Sequence, residues 1–86
     1  MNVAPNPAMG RVTLNLTEPL NAAGRVEITD ASGRRVRSFD GSEISGTRRI
    51  EWNGTEANGN PVPPGVYFIT LNDNGRKSTE RVILVR

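Results

Sequence analysis

The chain has 86 residues, a formal net charge of +2 and neither cysteine nor histidine. That length makes one domain with a thin core, and the missing side chains exclude Ser–His and Cys–His nucleophile pairs as well as disulfide staples. The basic residues are arginines apart from Lys77, and they alternate with acids in Arg25-Val26-Glu27 and Arg49-Ile50-Glu51. Such alternation suits cross-strand ion pairs on a wet sheet face better than a phosphate track, and no aromatic residues interleave as base-stacking platforms, so nucleic acid is not an expected partner.

Met1 to Pro7 lacks a basic stretch followed by an apolar one and does not read as a signal peptide. No apolar run approaches the ~20 residues of a membrane span. Beyond it the hydrophobic period is two. Val12, Leu14 and Leu16 alternate with Thr13, Asn15 and Thr17, which predicts a half-buried strand. Val26 and Ile28 predict a second strand, Val36 between two arginines a third, and Ile50 with Trp52 a fourth. Two denser apolar runs, Val66 to Leu71 and Val82 to Val85, predict strands buried on both faces or covered by something else. A seventh strand is sought near Ala4–Pro7 or Asn60–Val62. No stretch repeats apolar residues at helical spacing over three turns, so no helix is expected.

The turns carry their own chemistry. Asp30-Ala31-Ser32-Gly33 places Asp and Gly at the ends of a type I turn. Asn74-Gly75, both tolerant of positive φ, predicts a tight hairpin. Pro61-Val62-Pro63-Pro64-Gly65 cannot donate fully to a ladder and reads as an edge or connector. Turn signals at short, regular spacing predict an all-β fold, a small antiparallel immunoglobulin-like β-sandwich of six to seven strands spanning residues 1–86.

Little in this chain promises catalysis. The acids fall in turns or on outward strand positions, and a sandwich this small has little room for a water-excluding pocket, so no enzyme, no catalytic residue and no cofactor is expected. The loop Asn53-Gly54-Thr55-Glu56-Ala57-Asn58-Gly59-Asn60 resembles a calcium loop in outline but offers the single carboxylate Glu56, so its asparagines are read as turn-formers and no metal site is assigned. Trp52 reads as the centre of the core, with an indole N–H that needs a partner, and Tyr67 as a ring packed inward with its hydroxyl on a loop.

Several segments, taken in order, resemble a known family. They are Pro5-Asn6-Pro7 before the first strand, Asp30-Ala31-Ser32-Gly33-Arg34, Trp52-Asn53-Gly54-Thr55, Asn58-Gly59-Asn60-Pro61-Val62-Pro63, Gly65-Val66-Tyr67-Phe68, and the closing Arg81-Val82-Ile83-Leu84-Val85-Arg86. The chain is similar in this to the type A C-terminal sorting domains of the type IX (Por) secretion system, and to the immunoglobulin-like domain of the flagellar hook-capping protein. The resemblance implies a non-catalytic signal module, cut from a larger secreted protein, that carries an N-terminal cargo from the periplasm across the outer membrane to the cell surface or medium. The implied partners are type IX translocon or shuttle components and a sortase-like peptidase that removes the domain and anchors the cargo. The positions matching the family's shared elements are Asn6, Pro7, Gly65 and Tyr67, with Val82, Ile83, Leu84, Val85 and Arg86 as the stretch expected to be recognised. Ala4 and Asn53 depart from the family's usual aromatic and Asp. An apolar strand open at its edge could be read by main-chain pairing, with Arg86 fixing the register. The alternatives are a structural assembly module, as in hook capping, or an accessory domain of a secreted hydrolase.

Overall fold

A computed structural model describes residues 1–85. Eight strands appear in it: β1 (Asn2–Ala4), β2 (Ala8–Met9), β3 (Val12–Asn15), β4 (Arg25–Asp30), β5 (Arg35–Asp40), β6 (Arg49–Trp52), β7 (Gly65–Asp73) and β8 (Arg76–Val85). They make two sheets, one of three strands in the order β1-β3-β6 and one of five in the order β2-β8-β7-β4-β5. Every pairing is antiparallel except the short parallel contact of β2 with β8. The expected sandwich is therefore present, with two strands flanking the Pro5–Pro7 segment and one parallel pair that hydrophobic periodicity does not reveal.

The core follows the period-two pattern. Val12 and Leu14 of β3, Val26 and Ile28 of β4, Ile50 and Trp52 of β6, Tyr67 and Ile69 of β7, and Val82 and Leu84 of β8 all belong to one buried cluster. Each strand thus turns alternate residues inward, and the transfer of these side chains from water is the main term holding the sheets together. Trp52 is fully buried and sends its Nε1–H to the carbonyl of Thr55 at 2.8 Å. The edge of one ring meets the face of the other where Trp52 and Tyr67 touch, centroids 5.4 Å apart.

Two expectations are corrected. The runs Val66–Leu71 and Val82–Val85 are not covered on both faces: Tyr67, Ile69, Val82 and Leu84 are buried, whereas Val66 and Phe68 are half-buried and Ile83 is exposed. Their outward apolar side chains shelter one another across the strands, as in the pair Val66 and Ile83. The second correction is a single helical turn, α1 (Gly41–Ile44), too short to show any apolar period.

The turns form as their residues dictate. Asn74 (φ +54°) and Gly75 (φ +82°) both sit in the left-handed region and close the β7–β8 hairpin. Gly33 donates its N–H to the carbonyl of Asp30 at 3.0 Å, and the Asp30 carboxylate accepts from the Ser32 and Arg34 amides, each at 3.0 Å. The Ser32 hydroxyl donates to the same carboxylate and is the main reason that Asp30 titrates below its ordinary value. The charge alternation also resolves into pairs. Arg25 meets Asp40 and Arg35 meets Glu27 across β4 and β5, while Arg49 pairs with Glu51 along its own strand.

Candidate functional site

The positions singled out in the sequence are far apart in the chain, and β8 gathers them. Tyr67 lies opposite Val82 and Gly65 opposite Leu84 on the β7 side. On the other side, β2 places Ala8 opposite Leu84 and Met9 opposite Val85. Continuing that register back by two residues puts Asn6 opposite Val82. Asn6 does occupy the place, but with its side chain rather than its backbone. Its Nδ2 donates to the carbonyl of Arg81 at 3.0 Å, and its Oδ1 accepts the N–H of Ile83 at 3.0 Å.

The geometry has a simple meaning. In a parallel ladder, one residue bonds the carbonyl before and the N–H after the residue it faces. The Asn6 carboxamide does the same around Val82, so it extends the parallel ladder of β2 by one step. Of the residues flanking it, Pro5 and Pro7 have no N–H to contribute. A carboxamide is the one short side chain with a donor and an acceptor set like those of a peptide group. The Pro5-Asn6-Pro7 segment is thus an edge clasp on β8.

Tyr67 anchors the opposite flank. Its ring is buried against Trp52 and its hydroxyl donates to the carbonyl of Pro63, tying the proline connector to the core. On the outward face of the same corner, Met9 is 76% exposed and Ile83 37%. Val66, Phe68 and Val85 are half-buried beside them, so an apolar corner is presented to solvent.

This arrangement overturns the expectation of an open edge at Val82–Val85. The Ile83 N–H is taken by Asn6, and Leu84 and Val85 are paired with β2. A partner could add a strand there only by displacing Asn6–Met9. Arg86 lies outside the described residues.

The loop from Asn53 to Asn60 is closed on itself. The Asn58 carboxamide accepts the Asn60 N–H at 3.0 Å, Glu56 and Asn60 bond through their main chains at 2.8 Å, and the Glu56 carboxylate lies 3.5 Å from Arg34. Among the described residues no three acidic groups converge as metal ligands would. One buried polar group escaped the sequence reading. Asp73 is 5% exposed and accepts from the Asn21 carboxamide at 2.9 Å, which fastens the loop before β4 to the end of β7. Its position next to Asn74-Gly75 suggests only a turn residue, so nothing local marks it as buried. No helix among the described residues is long and apolar enough to cross a membrane.

Residues 5–77 match the FlgD Ig-like domain family. The chain belongs to that family. Among solved structures, this FlgD Ig-like domain is similar to part of PorZ from Porphyromonas gingivalis, with 31% identity and a TM-score of 0.75 over 99% of the chain and 11% of PorZ. PorZ is described as an essential bacterial surface component of the type-IX secretion system. Part of PorU from the same organism matches with 26% identity and a TM-score of 0.61, over 98% of the chain and 9% of PorU. Truncated FlgD from Helicobacter pylori shares the fold, at 19% identity and a TM-score of 0.63, over 96% of the chain and 65% of the FlgD structure. The domain therefore spans about a tenth of the two Porphyromonas proteins. Among curated proteins, none matches the sequence.

Proposed function

We propose that this FlgD Ig-like domain is a non-catalytic sorting module of type IX secretion. It directs a cargo joined before Met1 from the periplasm across the outer membrane, after which a sortase-like peptidase removes it and the cargo is anchored at the surface or released. The observation that carries the reading is the likeness to PorZ, at 31% identity over 99% of the chain.

The geometry supports such a role. Met1 lines the same shallow cleft as Lys77 and Ser78, near the start of β8, whereas Met9 lies beside Val85 near its end. Eight residue steps of β8, from Lys77 to Val85, separate these places by about 26 Å. A cargo attached before Met1 would thus sit at one end of the sandwich, and the Val82–Val85 stretch would face away from it. With the main chain of Val82–Val85 occupied, recognition of this stretch by translocon or shuttle components falls to its outward side chains, Ile83 and Val85, together with Met9.

The test is export of a fluorescent protein fused before Met1, in strains with and without a working type IX translocon. A matched fusion carries Ile83→Asp and Met9→Asp, which leave Val82 and Leu84 in the core. Export that needs the translocon and is lost in the double variant, with the domain still folded, is expected. Retention of the parent fusion in the periplasm would overturn the sorting role; undiminished export of the double variant would overturn this recognition surface.

A second reading is a structural assembly module, which the family match over residues 5–77 favours. In that case the domain would pack against neighbours of its own assembly, and the parent fusion would not be exported.

A further inference from the structure

The edge of β8 is closed at one end and open at the other. Asn6 and β2 cover it from Arg81 to Val85, while among the described residues β7 alone pairs with Arg76 to Glu80. The Arg81 carbonyl and the Ile83 N–H point away from β7, towards Asn6. Strand alternation turns the main-chain groups of Thr79 and Lys77 the same way. Among the described residues no main-chain or side-chain group bonds them there. Lys77, Thr79 and Arg81 are also exposed.

Charge then says what could lie along this edge. The side chains of Lys77, Thr79 and Arg81 share the outward face, since Val82 and Leu84, of the other parity, are buried. Five arginines (Arg25, Arg34, Arg35, Arg49 and Arg76) have acidic partners, whereas among the described residues Lys77 and Arg81, like Arg11, Arg37 and Arg48, have none, and of these Lys77 and Arg81 stand four residues apart on this edge. The nearby acids are engaged or face elsewhere. Glu18 holds Arg76, Asp73 holds Asn21, and Glu80 lies on the opposite face, across from the buried Ile69. A second copy of this edge would set cation against cation, which opposes self-pairing.

We propose that Lys77–Arg81 is a docking edge for a short extended strand of a partner protein that carries carboxylates at alternate positions. The outward N–H and C=O groups of Lys77 and Thr79 bond its main chain, and its carboxylates lie against the Lys77 ammonium and the Arg81 guanidinium. The Asn6 clasp stops the added strand at Arg81 and so sets its register. The inference is independent of the secretion role, because it concerns binding by the isolated domain.

The experiment is an NMR titration of the nitrogen-15-labelled domain with a capped seven-residue peptide of alternating Glu and Val, beside the same peptide with Lys for Glu. Binding of the acidic peptide is expected to shift the amides of Lys77, Thr79 and Arg81, slow exchange at Lys77 and Thr79, and weaken as salt is added. The pair Lys77→Glu and Arg81→Glu should weaken it at least tenfold and let the basic peptide bind. Thr79→Pro, which removes one outward N–H from an edge, should also weaken it while Trp52 fluorescence reports an intact core. No shift up to millimolar peptide, shifts confined to other strands, or equal binding of the basic peptide would overturn the proposal.

Discussion

Replacing Asn6 tests whether a side chain can stand in for a strand residue. Asn6→Ala removes the bonds to the Arg81 carbonyl and the Ile83 N–H, both 3.0 Å long. A neutral hydrogen bond contributes about 0.5–1.5 kcal/mol net, and both groups are at the surface where water can replace Asn6, so a loss of about 1–2 kcal/mol follows. In a domain of this size that corresponds to a fall in Tm of roughly 4–16 °C. Asn6→Asp should be worse than Ala at neutral pH. It keeps the acceptor for Ile83 but turns a carboxylate oxygen towards the Arg81 carbonyl, acceptor against acceptor. That contact raises the pKa of the new carboxyl in the folded state, so protonation, which supplies an O–H donor, stabilises the fold. The deficit of the Asp variant relative to the native chain should therefore narrow as pH falls through that raised value and level off below about 4, the ordinary Asp value. Thermal melts at pH 7 and pH 3, with hydrogen exchange at the Ile83 amide, read out each step. If both variants melt within a degree of the native domain and Ile83 stays protected, the clasp holds nothing and the reasoning fails.

Two further outcomes follow from local geometry. Gly41→Ala would ordinarily stabilise a helical turn by about 0.5–1 kcal/mol. Here a Cβ would lie 1.9 Å from the Asn21 carbonyl oxygen, so the sign reverses and a loss of about 1–3 kcal/mol is expected in the urea midpoint. Asp30→Asn should destabilise the domain at pH 7 but not in acid. The carboxylate titrates below 3.8, chiefly through the Ser32 hydroxyl, so its contribution is complete above that value and disappears as pH falls through the lower folded one. Urea titrations of both chains at pH 7 and pH 2.5 check this, and a gap that persists unchanged in acid would contradict it.

How much of this was legible in the chain depends on the range of the interaction. Inward residues such as Val12, Leu14, Ile50 and Trp52 announce themselves by alternation, because period two is a property of the strand alone. Asn74-Gly75 and Asp30–Gly33 announce their turns through φ tolerance and side-chain acceptors. The covering of β8 did not show, since β2 has only two residues, Ala8 and Met9, and its partners lie at the far end of the chain. Asp73 was hidden for the same reason: its partner Asn21 is 52 residues away. Of the candidate site, Asn6, Gly65 and Tyr67 were named through resemblance, which marks positions without giving the reason for them. The structure supplies one for Asn6, a ladder step, and one for Tyr67, a hydroxyl bond to the Pro63 carbonyl under a buried ring.

These contacts also divide the labour along β8. Towards Val85, the strand has main-chain or side-chain partners on both sides, so whatever meets it must read outward side chains. Towards Arg76, it has one neighbour strand and a row of cations, so whatever meets it can pair with its backbone. A single carboxamide marks the boundary, because Asn6 bonds Arg81 and Ile83 and leaves Thr79 open. The two surfaces are separable by mutation: changes at Ile83 and Met9 leave the open edge intact, and changes at Lys77 and Thr79 leave the apolar corner intact. Loss of cargo export without loss of acidic-peptide binding, or the reverse, would show which surface serves which partner. Loss of both from a change at either place would mean instead that β8 acts as one unit and that the clasp divides nothing.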